Sequence, residues 1–188
     1  MATTGLSRTC TAGSQTKATL SVWFKRGTNF ESEQWLLGFG DLSGDNTQIS
    51  LSNSDKMFVG TSGGHITLSA HNEWRDPAAW YHFCVGIDTT QSTATDRVKY
   101  YINGNQILDA DLDNNTYPAE DAALPFNVDG EICTIGMNPS SGQFFDGIMA
   151  HMHWIDGTAY PASAFGSTDA TSGIWIPNTG PSVAYGTN

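Results

Sequence analysis

The hydrophobicity of this chain has a period of two. In Lys17-Ala18-Thr19-Leu20-Ser21-Val22-Trp23-Phe24-Lys25, the side chains of Leu20, Val22 and Phe24 fall on one face. Thr19, Ser21, Trp23 and Lys25 fall on the other. Successive side chains of an extended backbone point to opposite sides, so this pattern is a half-buried strand. Residues 80–87 repeat it: Tyr81, Phe83, Val85 and Ile87 share a face, opposite Trp80, His82 and Cys84. Large groups on both faces predict a central strand covered on both sides. Residues 34–39 and 48–51 are shorter apolar runs, separated by turn residues at 40–46. Residues 56–59 and 65–68 read as a hairpin around Thr61-Ser62-Gly63-Gly64. Asn103-Gly104 between two such runs is a strong hairpin signal, because both turn positions need positive φ. Residues 131–137 and 144–155 complete the set, the last ending in the Asp156-Gly157 turn. Only residues 162–165, after Pro161, suggest one short helical turn. About ten strands at spacings near ten residues predict an all-β protein: a two-sheet antiparallel jelly-roll sandwich. One domain over residues 1–188 is expected, either alone or within a longer chain.

Composition narrows the function. A net charge of −11 argues against nucleic acid and anionic membranes, whose phosphates recruit Lys and Arg. No segment is long and apolar enough to span a bilayer, and no signal peptide is visible. Cys10, Cys84 and Cys133 are odd in number and widely spaced, which predicts free thiols rather than a disulfide framework. No activated nucleophile, phosphate loop or closed metal cage is evident, so recognition is expected rather than chemistry.

Several segments resemble a known family. Leu20-Ser21-Val22-Trp23-Phe24-Lys25-Arg26 resembles the opening strand of concanavalin A-like, laminin-G-like domains. Trp80-Tyr81-His82-Phe83 with Asp88-Thr89-Thr90, and Val98-Lys99-Tyr100-Tyr101-Ile102-Asn103-Gly104, resemble the strand and hairpin that follow in those domains. Trp154-Ile155-Asp156-Gly157, Phe165-Gly166 and Gly173-Ile174-Trp175-Ile176-Pro177 are similar to laminin-G-like modules in virion proteins of marine tailed bacteriophages. Tyr117-Pro118 and Phe126-Asn127 fit the same pattern. The resemblance covers most of the chain. It implies a lectin-like module on a fibre, spike or capsid surface, assembled in the host cytoplasm beside other virion subunits, and a homo-oligomer. Calcium at one rim of the sandwich is common in such domains.

Five constellations merit weighing. Glu31 and Glu33 are a close carboxylate pair, but they lie in a polar loop, without the one-strand arrangement of glucanases with this fold. Asp109, Asp111, Asp113 and Glu120 match the spacing of a calcium loop. Asn114 stands where that loop needs Gly, and a solvated acidic loop is the alternative; folding is expected not to require the metal. Residues 40–46 are a second acidic loop, read as a plain turn or a contributor to a calcium rim. His151 and His153, at i and i+2, share a strand face and fit a transition metal or simple hydrogen-bonded imidazoles. Trp74, with His71 and Asn72, lies in a polar segment: the indole either stacks on a sugar ring or plugs the end of the sandwich. Trp35 reads as core. The expectation is a non-catalytic module recognising a host-surface glycan, with a purely structural virion element as the alternative and a glycoside hydrolase as a distant third.

Overall fold

The computed structural model describes residues 4–40 and 44–186. Its strands are β1 (Leu6–Thr9), β2 (Lys17–Arg26), β3 (Gln34–Gly40), β4 (Asn46–Leu51), β5 (Lys56–Thr61), β6 (Thr67–Glu73) and β7 (Tyr81–Asp88). They continue as β8 (Val98–Ile102), β9 (Asn105–Ile107), β10 (Leu112–Thr116), β11 (Ile132–Ile135), β12 (Gly147–Asp156), β13 (Gly166–Thr168) and β14 (Trp175–Pro177). Helical geometry is confined to single 3-10 turns among the described residues, one of them at Ala162–Ala164 as expected. Two large antiparallel sheets form a concanavalin A-like jelly-roll sandwich. One has seven strands in the order β1-β11-β3-β4-β5-β6-β10, the other five in the order β12-β2-β7-β8-β9.

The alternation seen in sequence sets the faces. Leu20, Val22 and Phe24 of β2 join Phe83, Val85 and Ile87 of β7 in the main core, all 0% exposed. The seven-stranded sheet contributes Leu37 and Phe39, Ile49 and Leu51, Met57 and Val59, and Leu68 and Ala70. Tyr100 is buried among them, and its hydroxyl donates to the carbonyl of Met57 at 2.9 Å. Full burial of one such large side chain stabilises by roughly 1.5–3 kcal/mol. The β8–β9 hairpin turns through Asn103 (φ 48°) and Gly104 (φ 80°), the positive pair its sequence requires.

β7 is covered on both sides, as its sequence predicts. Its outward residues meet a second, smaller core formed by Cys84, Ile155, Ala162 and Phe165, with Tyr160, Trp175 and Val183 packed against it. The segment 157–186, including the β13–β14 ribbon, therefore lies over the outer face of the five-stranded sheet.

Three features depart from the sequence reading. β1, whose four residues are all exposed, was not anticipated as a strand; it pairs with β11 at the edge of the larger sheet. Much of the expected acidic loop is strand: β10 pairs with β6, with a register shift between Leu112 and Asn114 that leaves Asp113 at an irregularity. In β12 the register shifts between Ala150 and His153, and His151 has φ 46°. This bulge breaks the strict alternation that put His151 and His153 on one face.

Candidate functional site

The cover over the five-stranded sheet is anchored by a ring stack. His82 lies between Trp23, at 5.0 Å between centroids, and Trp175, at 5.9 Å. The indole N–H of Trp175 donates to His82 Nδ1 at 3.0 Å. An indole nitrogen only donates, so Nδ1 is the acceptor and the neutral ring carries its proton on Nε2, 2.9 Å from Ser21 Oγ. Burial, with the charge of His153 adding to it, pushes the His82 pKa down to about 4. Burial also pushes the Cys84 thiol well up. The centre of that outer face is thus covered by the chain itself, whereas on the outer face of the seven-stranded sheet Gln48, Phe58 and Thr67 are half-buried and Asn114 and Thr116 exposed, beside buried Trp35, Ser50, Ser69 and Thr134.

Strand register defines what this open face displays. Trp35, Ser50, Phe58, Ser69 and Asn114 follow one another across β3, β4, β5, β6 and β10. Thr134, Gly38, Gln48, Gly60, Thr67 and Thr116 form the next row. Both rows alternate with core residues, so they point outward. Each aromatic lies against a glycine. A Cβ on Gly60 would clash with the Phe58 ring, and one on Gly38 would meet the Trp35 ring at 2.8 Å. The absent side chains let both rings lie close to the sheet. Trp35 is buried, as its sequence context indicated, but on the outer side of the sheet rather than in the central core; Phe58 is half-buried.

Beside these rings is a polar network. Gln48 Nε2 donates to one carboxylate oxygen of Glu33, and Gln143 Nε2 donates to the other. Gln48 Nε2 also lies 2.9 Å from Ser50 Oγ. The half-buried Phe58 ring beside oriented amides, hydroxyls and one carboxylate matches the needs of a sugar: an apolar C–H face to rest on and hydroxyls to bond. Sequence reasoning passed over Phe58. The signal that finds it is an aromatic two residues before a glycine in a strand, where the missing side chain leaves room for the ring.

The sequence candidates do not form one site. Trp74 packs edge-to-face on Tyr81 at 5.4 Å, against the main core, with its indole nitrogen buried. His71 and Asn72 are exposed on β6, away from that buried nitrogen. The residues around Trp74 are held by a buried ion pair: Arg26 Nη1 is 2.7 Å from Asp55 Oδ1, and both side chains are fully buried. Arg75 Nε is 2.5 Å from the other Asp55 oxygen, and Arg26 also donates to the Trp74 carbonyl at 2.9 Å.

The expected calcium ligands do not converge. Asp109 accepts from the Tyr117 hydroxyl at 3.1 Å. Asp113 is paired with Lys56 and lies 2.7 Å from His71, and these partners hold its carboxyl below its ordinary range. Glu120 lies 3.6 Å from Arg97, and Asp111 is exposed. Among the described residues no group of three or more His, Cys, Asp or Glu side chains placed to hold a metal ion occurs. Residues 41–43 of the second acidic loop lie outside the described residues. His153 Nδ1 is 2.7 Å from the Tyr185 hydroxyl, a hydrogen-bonded imidazole at the edge of the C-terminal cover.

Comparison with known proteins fits this architecture. Residues 4–163 match a family model described as the concanavalin A-like lectin/glucanases superfamily. No curated protein sequence matches. Among solved structures, the native heptameric SAP-like pentraxin from Limulus polyphemus aligns with a TM-score of 0.57 at 13% identity, covering 94% of this chain and 86% of that one. CBM40 of the Ruminococcus gnavus IT-sialidase aligns at 0.56 and 13%, covering 86% of this chain and 96% of that one. The enzymatically active domain of tailspike protein 2 from bacteriophage CBA120 aligns at 0.54 and 15%, covering 86% of this chain but 25% of that one. At such identities the likeness is one of fold.

Proposed function

Because the chain belongs to the concanavalin A-like lectin/glucanases superfamily, we propose that it is a non-catalytic module that recognises a glycan on the outer face of its seven-stranded sheet. The carrying observation is half-buried Phe58 over Gly60, in the same outward row as Ser50, which adjoins the amide-held carboxylate of Glu33. The non-catalytic part of the reading is supported by Glu33 itself. Both of its oxygens accept amide N–H groups, which fixes it in place as a hydrogen-bond acceptor.

The setting is proposed to be a bacteriophage virion surface, with the module repeated in a symmetric assembly and directed at a host-surface polysaccharide. The C-terminal motifs around Trp154, Phe165 and Trp175 support this placement. Repetition would raise the avidity of weak single sites through effective concentration. A purely structural virion role is the second reading. It is favoured by the exposed apolar side chains of Leu6 and Ile148, 67% and 59% accessible, on the two edge strands β1 and β12. A glycan array on the isolated protein separates the two: saturable binding supports recognition, and a blank array supports the structural role. Antibody labelling of purified particles tests the virion placement, and unlabelled particles would refute it. Release of reducing sugar from host polysaccharide would overturn the non-enzyme reading.

A further inference from the structure

The charge layout of the open face narrows the ligand class. The cations beside Phe58 have carboxylate partners. Lys56 is paired with Asp113, and Arg75 lies 2.5 Å from Asp55 and 2.6 Å from Glu73. Arg26 is fully buried against Asp55. His71 also turns to Asp113, at 2.7 Å. Glu33, by contrast, is held by the neutral amides of Gln48 and Gln143. Around Phe58 and Glu33 the face therefore offers a charged acceptor, while the nearby cations of β5 and of the segment after β6 are already paired.

From this we infer that the face takes a neutral glycan, a chain of uncharged hexose or N-acetylhexosamine units, and rejects carboxylated and sulfated ones. The inference rests on the reading of this face as a glycan platform. A carboxylate has about four acceptor positions. Gln48 and Gln143 take two of those on Glu33 and the Ser50 hydroxyl lies 3.5 Å from one oxygen, leaving a position for a sugar hydroxyl. A hydroxyl donating to a carboxylate makes a bond roughly twice as strong as one to a neutral acceptor. An anionic sugar inverts this logic. Its own carboxylate or sulfate has no proton to give Glu33, meets like charge, and must lose water without gaining a cation. Phe58, half-buried over Gly60, supplies the apolar surface on which the C–H face of a neutral pyranose rests.

The test is calorimetric titration of the full chain. The neutral probes are laminaritetraose, cellotetraose, mannotetraose and N-acetylchitotetraose; the anionic probes are 3′-sialyllactose and a sulfated dextran fragment. The expected result is saturable binding of at least one neutral probe, unchanged by added salt, with no response to the anionic pair. Phe58→Ala and Glu33→Gln should each weaken that binding by about tenfold or more. Glu33→Gln keeps the shape of the side chain, so it tests the site even if Phe58→Ala misfolds. Anionic probes that bind as tightly as neutral ones overturn the inference but leave glycan recognition standing. Neutral binding untouched by both substitutions places the site elsewhere and also overturns it. A domain that binds no probe refutes both the inference and the reading beneath it.

Discussion

The side chain with the most at stake in stability is Asp55. It sits at φ 60°, fully buried, with one oxygen on Arg26 and the other on Arg75. The two pairs differ in kind. Arg26 has 0% side-chain exposure, whereas Arg75 has 56%. Removing one partner of a buried ion pair strands the other charge, at a cost of about 3–5 kcal/mol, while an exposed pair contributes about 0–1 kcal/mol. Asp55→Asn should therefore lower the melting temperature by about 6–20 °C, given roughly 2–4 °C per kcal/mol for a chain of this size. Arg75→Ala should shift it by no more than about 4 °C by the same conversion. Scanning calorimetry of both variants checks this, and equal effects would contradict the account. Sequence alone could not bring Arg26 and Asp55 together, because their contact joins the end of β2 to the β4–β5 turn. Nor does it show which aromatics face outward. Trp35 looks like a core residue until its pairing with Ser50 assigns it to the outer side.

At the scale of elements, the best-read parts were the long strands and tight turns. β2 and β7 declared both faces through unbroken alternation, and Asn103-Gly104 declared its hairpin through turn chemistry. The parts that stayed hidden depend on pairing over long distances. β1 and β10 are short edge strands with weak patterns, and their existence follows from their partners β11 and β6. The C-terminal cover is likewise a tertiary fact: nothing local announces that Trp175 will reach His82. Its dependence on that ring makes it sensitive to acid. An unfolded His titrates near 6.5, and His82 in the fold titrates at about 4. Between these values the unfolded chain binds the extra proton, so this contribution is complete above about pH 6.5 and falls away as pH drops toward 4. The amount lost is on the order of 3 kcal/mol. Protonating Nδ1 would set an N–H against the Trp175 N–H. Urea unfolding at pH 7.5 and pH 4.5 should show a smaller difference for His82→Gln than for the native chain. An equal difference in both would remove His82 as the cause.

For the whole molecule, the fold was legible because a period of two leaves few architectures, and the family because several motifs follow one another in order. The recognition face was not, since it is assembled from β3, β4, β5, β6 and the 138–145 region, none of which is distinctive in isolation. Asp109, Asp111, Asp113 and Glu120 match a calcium loop in spacing, and in the fold their side chains reach Tyr117, Lys56, His71 and Arg97 or stay exposed. We expect melting midpoints in excess calcium and in chelator to agree within a few degrees, because a ligand stabilises the native state in proportion to its occupancy. A chelator-induced drop of about ten degrees, some 2–4 kcal/mol, would show that a metal site contributes to the fold. The account as a whole rests on where a sugar binds. Backbone amide chemical-shift mapping, with a glycan that scores on the array titrated into labelled protein, tests this most directly. We predict shifts concentrated at Glu33, Gln48, Phe58, Gly60, Ser69 and Gln143, on the outer face of the seven-stranded sheet. Shifts concentrated instead in the C-terminal cover around Phe165 and Trp175, or no shifts at saturating sugar, would contradict it.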